Sequence, residues 1–321
     1  MKIFPKASIF IALLFVLLCF ANNATADVFR ENGFYGIKNS WGEVTVPPRY
    51  DDITQVGWEP IYIVKDRYGY FLMHESGRIY SRQYRYMQRL SGSDDLIEVQ
   101  CDRYLGDYGL IDYNGNQILP CKYNYIEYLN DEYIVANYKG YEGVIDFQDN
   151  IIIPFKYDNI AEYDYYLLEV RLGNKYGLIN YYDEVILDIV YSDLFAIDDD
   201  IVAVKANGAW GAMKLDHTQI IPVQYKNVSE FKNDYIRTKT TNNFYGLYSK
   251  TGKRLLADKY NKIELKNGYF IVKEGKLYGL VNTQGAVLTP SKYSKIKYNK
   301  KKQCFQGKVD KIWYDLKIIK K

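Results

Sequence analysis

The chain has 321 residues, 48% of them apolar and 25% charged, a balance that excludes a disordered protein. Only 2 histidines are present, which argues against a catalytic or metal site built on histidine. The 35 tyrosines far outnumber the 14 phenylalanines and 4 tryptophans. They favour β-strands, because a pleated surface takes the ring on its apolar side and leaves the hydroxyl at its wet margin.

Residues 1–26 are predicted to be a secretory signal. A positive start with Lys2 precedes an uncharged, largely apolar run, and Ala24 and Ala26 are the small residues that a signal peptidase reads. The alternative, a membrane anchor, needs about 20 apolar residues, and this run is shorter. We therefore expect cleavage after Ala26 and a mature chain, 27–321, that is exported to the periplasm or the exterior and has no membrane span.

Charge is unevenly distributed in the mature chain. Removal of the signal takes away two lysines and no acid, so the net charge falls from +3 to +1 and predicts no nucleic-acid partner. Residues 291–321 hold 11 lysines against Asp310 and Asp315, a local charge of +9, which leaves 1 − 9 = −8 for residues 27–290. These lysines either dock the protein on an anionic envelope surface or partner, or protect terminal edge strands from aggregation.

An aromatic-Gly dipeptide recurs along the chain. Successive marker glycines are 33, 40, 34, 34, 34, 35 and 33 residues apart, and Glu142-Gly143 takes the place of one aromatic pair. This period predicts eight repeats in one domain, with starts near residues 34, 67, 107, 141, 175, 209, 244 and 277. The glycines are Gly36, Gly69, Gly109, Gly143, Gly177, Gly211, Gly246 and Gly279.

Other residues keep register with the marker glycine. A turn residue follows six places later, a proline eleven places later in five repeats, and an aliphatic residue seventeen places later. A tyrosine follows fourteen places later in seven repeats and one place late in the second. Because these tyrosines hold a fixed place in every repeat, we expect them in the core: Tyr50, Tyr84, Tyr123, Tyr157, Tyr191, Tyr225, Tyr260 and Tyr293.

Each repeat is predicted to form four short strands. In the third repeat they cover 108–112, 117–119, 125–129 and 133–136, with an Asn114-Gly115 hairpin turn between the first two. Pro120 is expected to end the second strand. The marker glycine indicates either a bulge or a neighbour too close for a Cβ. The second repeat is irregular, with about six extra residues placed around 90–96.

The segments YGLIDYNGNQILPCKYNYI, WGAMKLDHTQIIPVQYKNV and YGLVNTQGAVLTPSKYSKI resemble the bacterial WG repeat. The resemblance covers residues 34–298. It implies a β-rich binding or scaffolding module without common catalytic residues. The departures are Glu142 for the aromatic residue and Asp188 and Ala257 for proline.

Units of this size stack on one another, because none can bury a face alone. The chain begins with the first two strands of a repeat, and residues 312–316 stand in the place of a ninth start. We therefore favour an all-β, propeller-like ring of about eight units, in which residues 312–319 close or cap the array beside residues 35–37. An open β-solenoid is the alternative.

The usual catalytic motifs are missing from the sequence. It has neither a G-x-S-x-G elbow nor a phosphate-binding glycine loop. His74 and His217 are predicted in turns, and the Asp198-Asp199-Asp200 run lacks EF-hand spacing, so it is interpreted as a solvated turn. We expect no catalytic, cofactor or metal residues. Five polar residues three places after a marker glycine should bond their own turn: Asn39, Asp112, Asp146, Asn180 and Asn282.

The mature chain keeps three cysteines: Cys101, Cys121 and Cys304. Because three is odd, at least one thiol is free or pairs outside the chain. Their spacing matches neither a disulfide framework nor a zinc site, so a dense core is expected to supply the stability.

These observations favour a monomeric, non-catalytic, exported scaffold that binds a protein or a cell-envelope glycan through one face of its β array. A row of exposed tyrosines would stack on sugars, although tyrosines at fixed repeat positions are more simply core. The alternative is a hydrolase or lyase that uses carboxylates and tyrosines in a central channel. Convergence of acids from several repeats in one pocket would distinguish it.

Overall fold

The computed structural model describes residues 26–57, 59–101, 107–232 and 234–316, and the chain divides after Lys156 into two compact units. Residues 1–25 of the predicted signal and residues 317–319 of the predicted closing strand lie outside the described residues. The described residues form strands and turns without a helix, as predicted. None of these residues therefore forms a helix with the length and hydrophobicity needed to cross a membrane.

The strands group into nine sheets within the described residues. In chain order, the first four sheets are β1 (Asp27–Glu31), β2 (Phe34–Lys38) and β3 (Val44–Tyr50); β4 (Asp52–Gln55), β5 (Ile61–Asp66) and β6 (Gly69–His74); β7 (Tyr86–Arg89), β8 (Leu96–Gln100), β9 (Tyr108–Asp112) and β10 (Gln117–Tyr123); and β11 (Tyr125–Tyr128), β12 (Tyr133–Tyr138), β13 (Tyr141–Asp146) and β14 (Ile151–Tyr157).

The remaining five sheets lie in the second unit. They are β15 (Asn159–Glu162), β16 (Leu167–Leu172), β17 (Lys175–Asn180) and β18 (Val185–Tyr191); β19 (Asp193–Asp198), β20 (Ile201–Ala206), β21 (Ala209–Lys214) and β22 (Gln219–Tyr225); β23 (Asn227–Phe231), β24 (Tyr235–Lys239), β25 (Tyr245–Ser249) and β26 (Arg254–Tyr260); β27 (Lys262–Lys266), β28 (Tyr269–Glu274), β29 (Leu277–Asn282) and β30 (Val287–Tyr293); and β31 (Lys295–Asn299), β32 (Cys304–Val309) and β33 (Ile312–Asp315).

Each sheet is an antiparallel meander that is shifted by two strands from the sequence repeat. The fourth sheet takes β11 and β12 from the third repeat and β13 and β14 from the fourth. Each repeat therefore contributes to two successive sheets, so no repeat can be removed without opening both. The central strands are the most buried, because they have a hydrogen-bonded neighbour on each side.

The first and last sheets differ from the prediction at the chain ends. The first begins with β1, a strand that the sequence analysis did not identify and that precedes the first predicted repeat. Both edges of β2 are hydrogen-bonded, to β1 and to β3, so neither edge is open to the closing strand predicted beside it. β33 pairs with β32 and belongs to the ninth sheet. The ring of about eight units and the open solenoid both stay predictions.

The sequence left two explanations for the marker glycine, a bulge or a neighbour too close for a Cβ, and the structure shows both. Opposite Gly177 the register of β18 shifts, as at a β-bulge, and a Cβ on Gly177 would lie 2.6 Å from the carbonyl oxygen of Leu187. The bulge brings the second strand across the glycine. Pro120 lies inside this feature, within β10, so the expectation that it ends the strand is wrong. An edge strand tolerates proline at a bulge because no ladder donor is needed there.

The second repeat lacks part of this bulge. Tyr70 pairs with Tyr84 in the same way as Tyr176 pairs with Tyr191 in the fifth sheet. The residue after Tyr70, Phe71, therefore takes the place of the marker glycine. The Tyr68-Gly69 dipeptide lies at the preceding hairpin. Much of the extra length lies between β8 and β9, in residues 101–107, where most sheets have a two-residue turn. The prediction placed it around 90–96, where the turn between β7 and β8 has six residues, Leu90 to Asp95.

The core lies between neighbouring sheets and includes the predicted tyrosines. All eight are buried, between 1% and 8% exposed, so their assignment to the core is confirmed. One expectation about cysteines is wrong: Cys101 and Cys121 form a disulfide, with Cα atoms 6.0 Å apart. The bond joins the β8–β9 link to β10, which sequence spacing alone did not reveal. Cys304 is a free thiol.

Candidate ligand-binding surface

Most successive sheets are joined by a connector of a single residue. This residue lies between the last strand of one sheet and the first strand of the next, and its N–H donates to a backbone carbonyl near the end of the second strand of that next sheet. The exception is the link of residues 75–85 between β6 and β7, whose last residue, Arg85, makes the same bond to the Gln100 carbonyl. Lys226 N–H, for example, donates to the Lys239 carbonyl at 2.8 Å. We call the end of each sheet at which these residues lie the connector end. A four-stranded meander has three turns, and the turn between its second and third strands lies at the connector end. The other two turns lie at the opposite end, which we call the hairpin end.

The buried tyrosines stand at the connector end, each as the last residue before a connector. Tyr157 donates to Asp183 Oδ1 at 2.7 Å, and Tyr191 donates to Met213 Sδ at 2.8 Å. Burial raises the pKa of Tyr157, and the hydrogen bond to Asp183 raises it further. The eight buried tyrosines, which we call the tyrosine row, are therefore core residues and are not exposed to a ligand.

A second series of aromatic residues lies at the same end and is half-exposed. These are most of the marker aromatics together with Tyr70 and Trp313, which hold the equivalent strand position, and in most sheets a lysine or arginine lies directly opposite on the adjacent strand. We call these pairs the cation–aromatic ladder. In the second unit they are Arg171–Tyr176, Lys205–Trp210, Lys239–Tyr245, Lys273–Tyr278 and Lys308–Trp313, and in the first unit Arg30–Tyr35 and Lys65–Tyr70.

The cations lie over the rings in most of these pairs. Lys205 Nζ is 5.4 Å from the centre of the Trp210 ring, and Lys239 Nζ is 5.5 Å from that of Tyr245. Trp313 lies near two ammonium groups, Lys297 at 4.0 Å and Lys308 at 5.8 Å. At these distances the ring quadrupole attracts the cation. Each pair thus presents N–H donors beside an aromatic surface, and part of the C-terminal lysine excess belongs to this ladder.

The third and fourth sheets interrupt the ladder. Gln100 faces Tyr108 in the third sheet, and Asn137 faces Glu142 in the fourth. Glu142 is buried and accepts a hydrogen bond from the Tyr125 hydroxyl. The replacement of the aromatic residue at this repeat, visible in the sequence, therefore coincides with the loss of its basic partner.

The hairpin end carries the acidic and histidine residues that the sequence analysis considered. Asp198 pairs with Lys250 and Asp200 with Lys214, with Nζ–Oδ2 distances of 2.5 and 2.7 Å. His217 lies in the β21–β22 turn, as predicted. His74 is the last residue of β6 and not a turn residue, although its ring contacts Ser76 in the turn that follows. In the described part of the chain, no group of three or more His, Cys, Asp or Glu residues is arranged to hold a metal ion.

The five polar residues after the marker glycines bond their own turns, as predicted. In each case the side-chain oxygen accepts from two backbone N–H groups of the hairpin, as Asp112 Oδ1 does from Asn114 and Asn116, both at 2.8 Å. Asn39, Asp146, Asn180 and Asn282 do the same. These side chains are structural.

The first unit also contains a cleft of about 720 Å³ at the connector end of its second, third and fourth sheets. Glu98 and the rings of Tyr70, Tyr86 and Tyr108 line it, with Lys65 and Arg67 also present and exposed. Glu98 is only 7% exposed and accepts from Gln88 Nε2 at 2.6 Å. Burial raises the pKa of Glu98, and the hydrogen bond from Gln88 opposes that rise.

Sequence reasoning missed Glu98. The equivalent position on the second strand is buried and apolar in several other sheets, at Ile63, Val135, Ala203 and Ile271. It carries Glu169 in the fifth sheet and Arg237 in the seventh. A carboxylate at this position was therefore only a weak signal for Glu98. The register of the strands, which shows that this position is buried, was needed to recognise it.

The chain is thus a tandem-repeat β protein whose sheets are each assembled from two successive repeats. The profile of the family described as the WG containing repeat matches residues 108–141, 143–176, 176–210 and 210–244. Four tandem segments of the chain thus match this repeat profile, in the middle of the span over which the sequence resembles that family. No curated protein matches it in sequence.

The solved structures that match the chain include one domain described as a β-propeller. A eukaryotic initiation factor matches with a TM-score of 0.33 and 9% identity, over 84% of this chain and 85% of that one. The WD40 β-propeller domain of Doa1 matches with 0.26 and 12%, over 70% and 90%. Hsv2p of Kluyveromyces lactis matches with 0.30 and 10%, over 70% and 89%. All three TM-scores are below 0.5, so the similarities are weak.

Proposed function

We propose that the protein is an exported, non-catalytic scaffold that binds an acidic cell-envelope polysaccharide along the cation–aromatic ladder of its second unit. The observation that carries the proposal is the repetition of one half-exposed aromatic residue with one lysine or arginine opposite it, sheet after sheet. The rings pack partly against the core clusters, as Trp210 and Tyr176 do, but the cations opposite them are not part of those clusters. The recurrence of a cation beside a ring that keeps an exposed part therefore suggests a surface that a ligand contacts.

The chemistry of each pair suits a polymer of acidic sugars. An ammonium or guanidinium group bonds a carboxylate, and the C–H faces of a sugar pack against aromatic rings. An exposed cation–aromatic contact contributes only about 0.5–1 kcal/mol. Several such sites in series bind a polymer much more tightly than one site does, because each further contact is intramolecular.

Two observations support export. Residues 1–26 have the composition of a secretory signal, and the mature region contains the Cys101–Cys121 disulfide. Disulfides persist in oxidising compartments such as the periplasm and the exterior. The disulfide therefore agrees with the compartment that the signal predicts.

A hydrolase or lyase is the alternative, and it depends on a pair of available carboxylates. Asp66 and Glu98 both line the cleft of the first unit. Asp66, however, accepts from Gln83 Nε2 on both oxygens and from the Tyr68 and Gly69 N–H groups. Glycoside hydrolysis needs two carboxyl groups that can reach the scissile bond. The engagement of Asp66 favours binding over hydrolysis.

The proposal is tested by affinity electrophoresis of residues 27–321 in gels that contain polygalacturonate or neutral dextran. We expect polygalacturonate to retard the protein and dextran to leave it unaffected, with retardation falling as salt rises. The double variant Lys205→Gln/Trp210→Ala should weaken the apparent affinity for polygalacturonate about tenfold, from the loss of one ion contact and one ring contact.

The matched control is Lys253→Gln/Tyr182→Ala, which removes the same kinds of side chain from exposed positions at the hairpin end of the second unit. It should migrate like the wild type in both gels. Equal retardation of the two double variants would show that net charge alone holds the polymer. Absence of retardation of the wild type would contradict the proposal.

A further inference from the structure

The cleft of the first unit differs in chemistry from the ladder. Gln88, Glu98 and Gln100 bring polar groups to one face of the third sheet, where β7 pairs with β8. Gln100 takes the place that lysine or arginine occupies in most ladder pairs. The place of Glu98 is apolar in several sheets but holds Glu169 and Arg237 in two others. The third sheet is distinguished by the combination of Gln100 with Glu98 and its partner Gln88.

The interior of the cleft offers acceptors, donors and rings together. Glu98 is buried and its Oε2 accepts from Gln88, whose Oε1 in turn accepts from the Tyr86 hydroxyl at 2.5 Å. The rings of Tyr70 and Tyr86 meet edge to face with centroids 5.9 Å apart. Such a mixture fits a ligand with several hydroxyl groups on a ring with apolar C–H faces, which describes a sugar.

The cations on the cleft wall add a preference for negative charge. Lys65 and Arg67 are exposed side chains of the β5–β6 hairpin region, and Asp66 between them is already engaged by Gln83 and by backbone N–H groups. A planar guanidinium group matches a carboxylate in two parallel hydrogen bonds. The cleft therefore has a place for one carboxylate in addition to the hydroxyl groups.

We propose that this cleft binds a single hexuronate residue, with ligand hydroxyls donating to Glu98, the sugar face against the tyrosine rings and the ligand carboxylate on Arg67. The volume of about 720 Å³ lies within the range of small-molecule sites and accommodates one sugar with bridging waters. The site lies within the first unit and does not depend on the ladder of the second unit.

Isothermal titration with D-glucuronate and D-glucose tests the site in the protein of residues 27–321. We expect glucuronate to bind at least about tenfold more tightly than glucose, as one charge-assisted pair provides. Arg67→Gln should remove that preference and leave glucose binding unchanged. Glu98→Gln, which keeps the shape of the side chain, should weaken both sugars about tenfold, because a charged acceptor is lost.

Two controls separate this site from the ladder and from a general loss of structure. The ladder variant Lys205→Gln/Trp210→Ala should bind glucuronate like the wild type. Tyr108→Ala should keep the preference for glucuronate while weakening both sugars, because it removes a ring from the cleft wall. Thermal unfolding of each variant shows whether it is folded. No binding of glucuronate by the wild type, or unchanged affinities in Arg67→Gln and Glu98→Gln, would overturn the proposal.

Discussion

The tyrosine row and the cation–aromatic ladder use the same kind of side chain at the same period, yet only the row is buried. Tyr191 lies directly opposite Tyr176 across β17 and β18, but Tyr191 is 8% exposed and Tyr176 is half-exposed. Tyr191 precedes a connector and is covered by the next sheet, whereas the Tyr176 ring lies on the open side of its own sheet. Position in the meander, and not residue type, separates stability from availability to a ligand.

Removal of one ring from each series tests this difference most strongly. Tyr157→Ala should lower the free energy of unfolding by about 3–5 kcal/mol, because it empties a fully buried aromatic site. Tyr176→Ala should lower it by about 1 kcal/mol, since only part of its surface is removed from water. Urea unfolding followed by circular dichroism measures both. Equal losses would show that the ladder aromatics are core residues as well.

Substitution of the marker glycine, which follows the ladder aromatic, is expected to cause the next largest loss of stability. In Gly177→Ala the new Cβ would lie 2.6 Å from the Leu187 carbonyl oxygen and 2.7 Å from Ile189 Cα, both backbone atoms that cannot rotate away. We expect a loss of about 3 kcal/mol, at the upper end for overpacking. Gly173→Ala is the control: its φ is +58° but no atom lies within 4 Å, so a loss of about 1 kcal/mol is expected. A smaller loss at Gly177 than at Gly173 would contradict the close approach.

Removal of one hydroxyl group from the tyrosine row is expected to have the smallest and most specific effect on the free energy of unfolding. Tyr157→Phe keeps the ring but removes the hydrogen bond to Asp183, so at pH 7 it should cost about 1 kcal/mol. Burial and then Asp183 raise the pKa of Tyr157 in the folded state. The folded protein therefore holds this proton more tightly than the unfolded chain. That part of the stability is complete below about pH 10 and is lost as the pH rises above it.

Urea unfolding of wild type and Tyr157→Phe at pH 7 and pH 11 measures this change. The difference between their free energies of unfolding should shrink at pH 11, because only the wild type has a phenol at this position to ionise on unfolding. A difference that stays constant over this range would show that the Tyr157 hydroxyl titrates alike in the folded and unfolded chains.

Much of the local structure could be predicted from the sequence. Strand lengths follow from the alternation of apolar residues, and the hairpin turns follow from side chains such as Asp112 that bond their own backbone. The burial of Tyr157 and its equivalents followed from their fixed place in every repeat. The strand β1 and the pairing of Cys101 with Cys121 could not be predicted, because each depends on which strands lie side by side.

The candidate sites were less visible than the fold. The basic partner precedes its aromatic residue by five places in most ladder pairs, as Lys205 precedes Trp210, so the sequence carried a signal for the ladder that the sequence analysis missed. That the two side chains lie opposite each other was shown only by the register of β20 and β21. Glu98 looks like any surface glutamate until β8 is known to be a central strand. The cleft is built from residues of three sheets, and their proximity cannot be read from their separation in sequence.

The sequence by itself determined the period, the strands, the turns and the buried tyrosines, because these depend on contacts within one repeat or on a residue's recurrence in all of them. The tertiary structure alone decided the phase of the sheets, which take two strands from each of two repeats. The single-residue connectors cause this phase: a connector such as Lys226 is too short to cross a sheet, so the chain passes at once into the next one. The same phase places lysine beside aromatic residue at one end of the sheets and so creates the candidate surface.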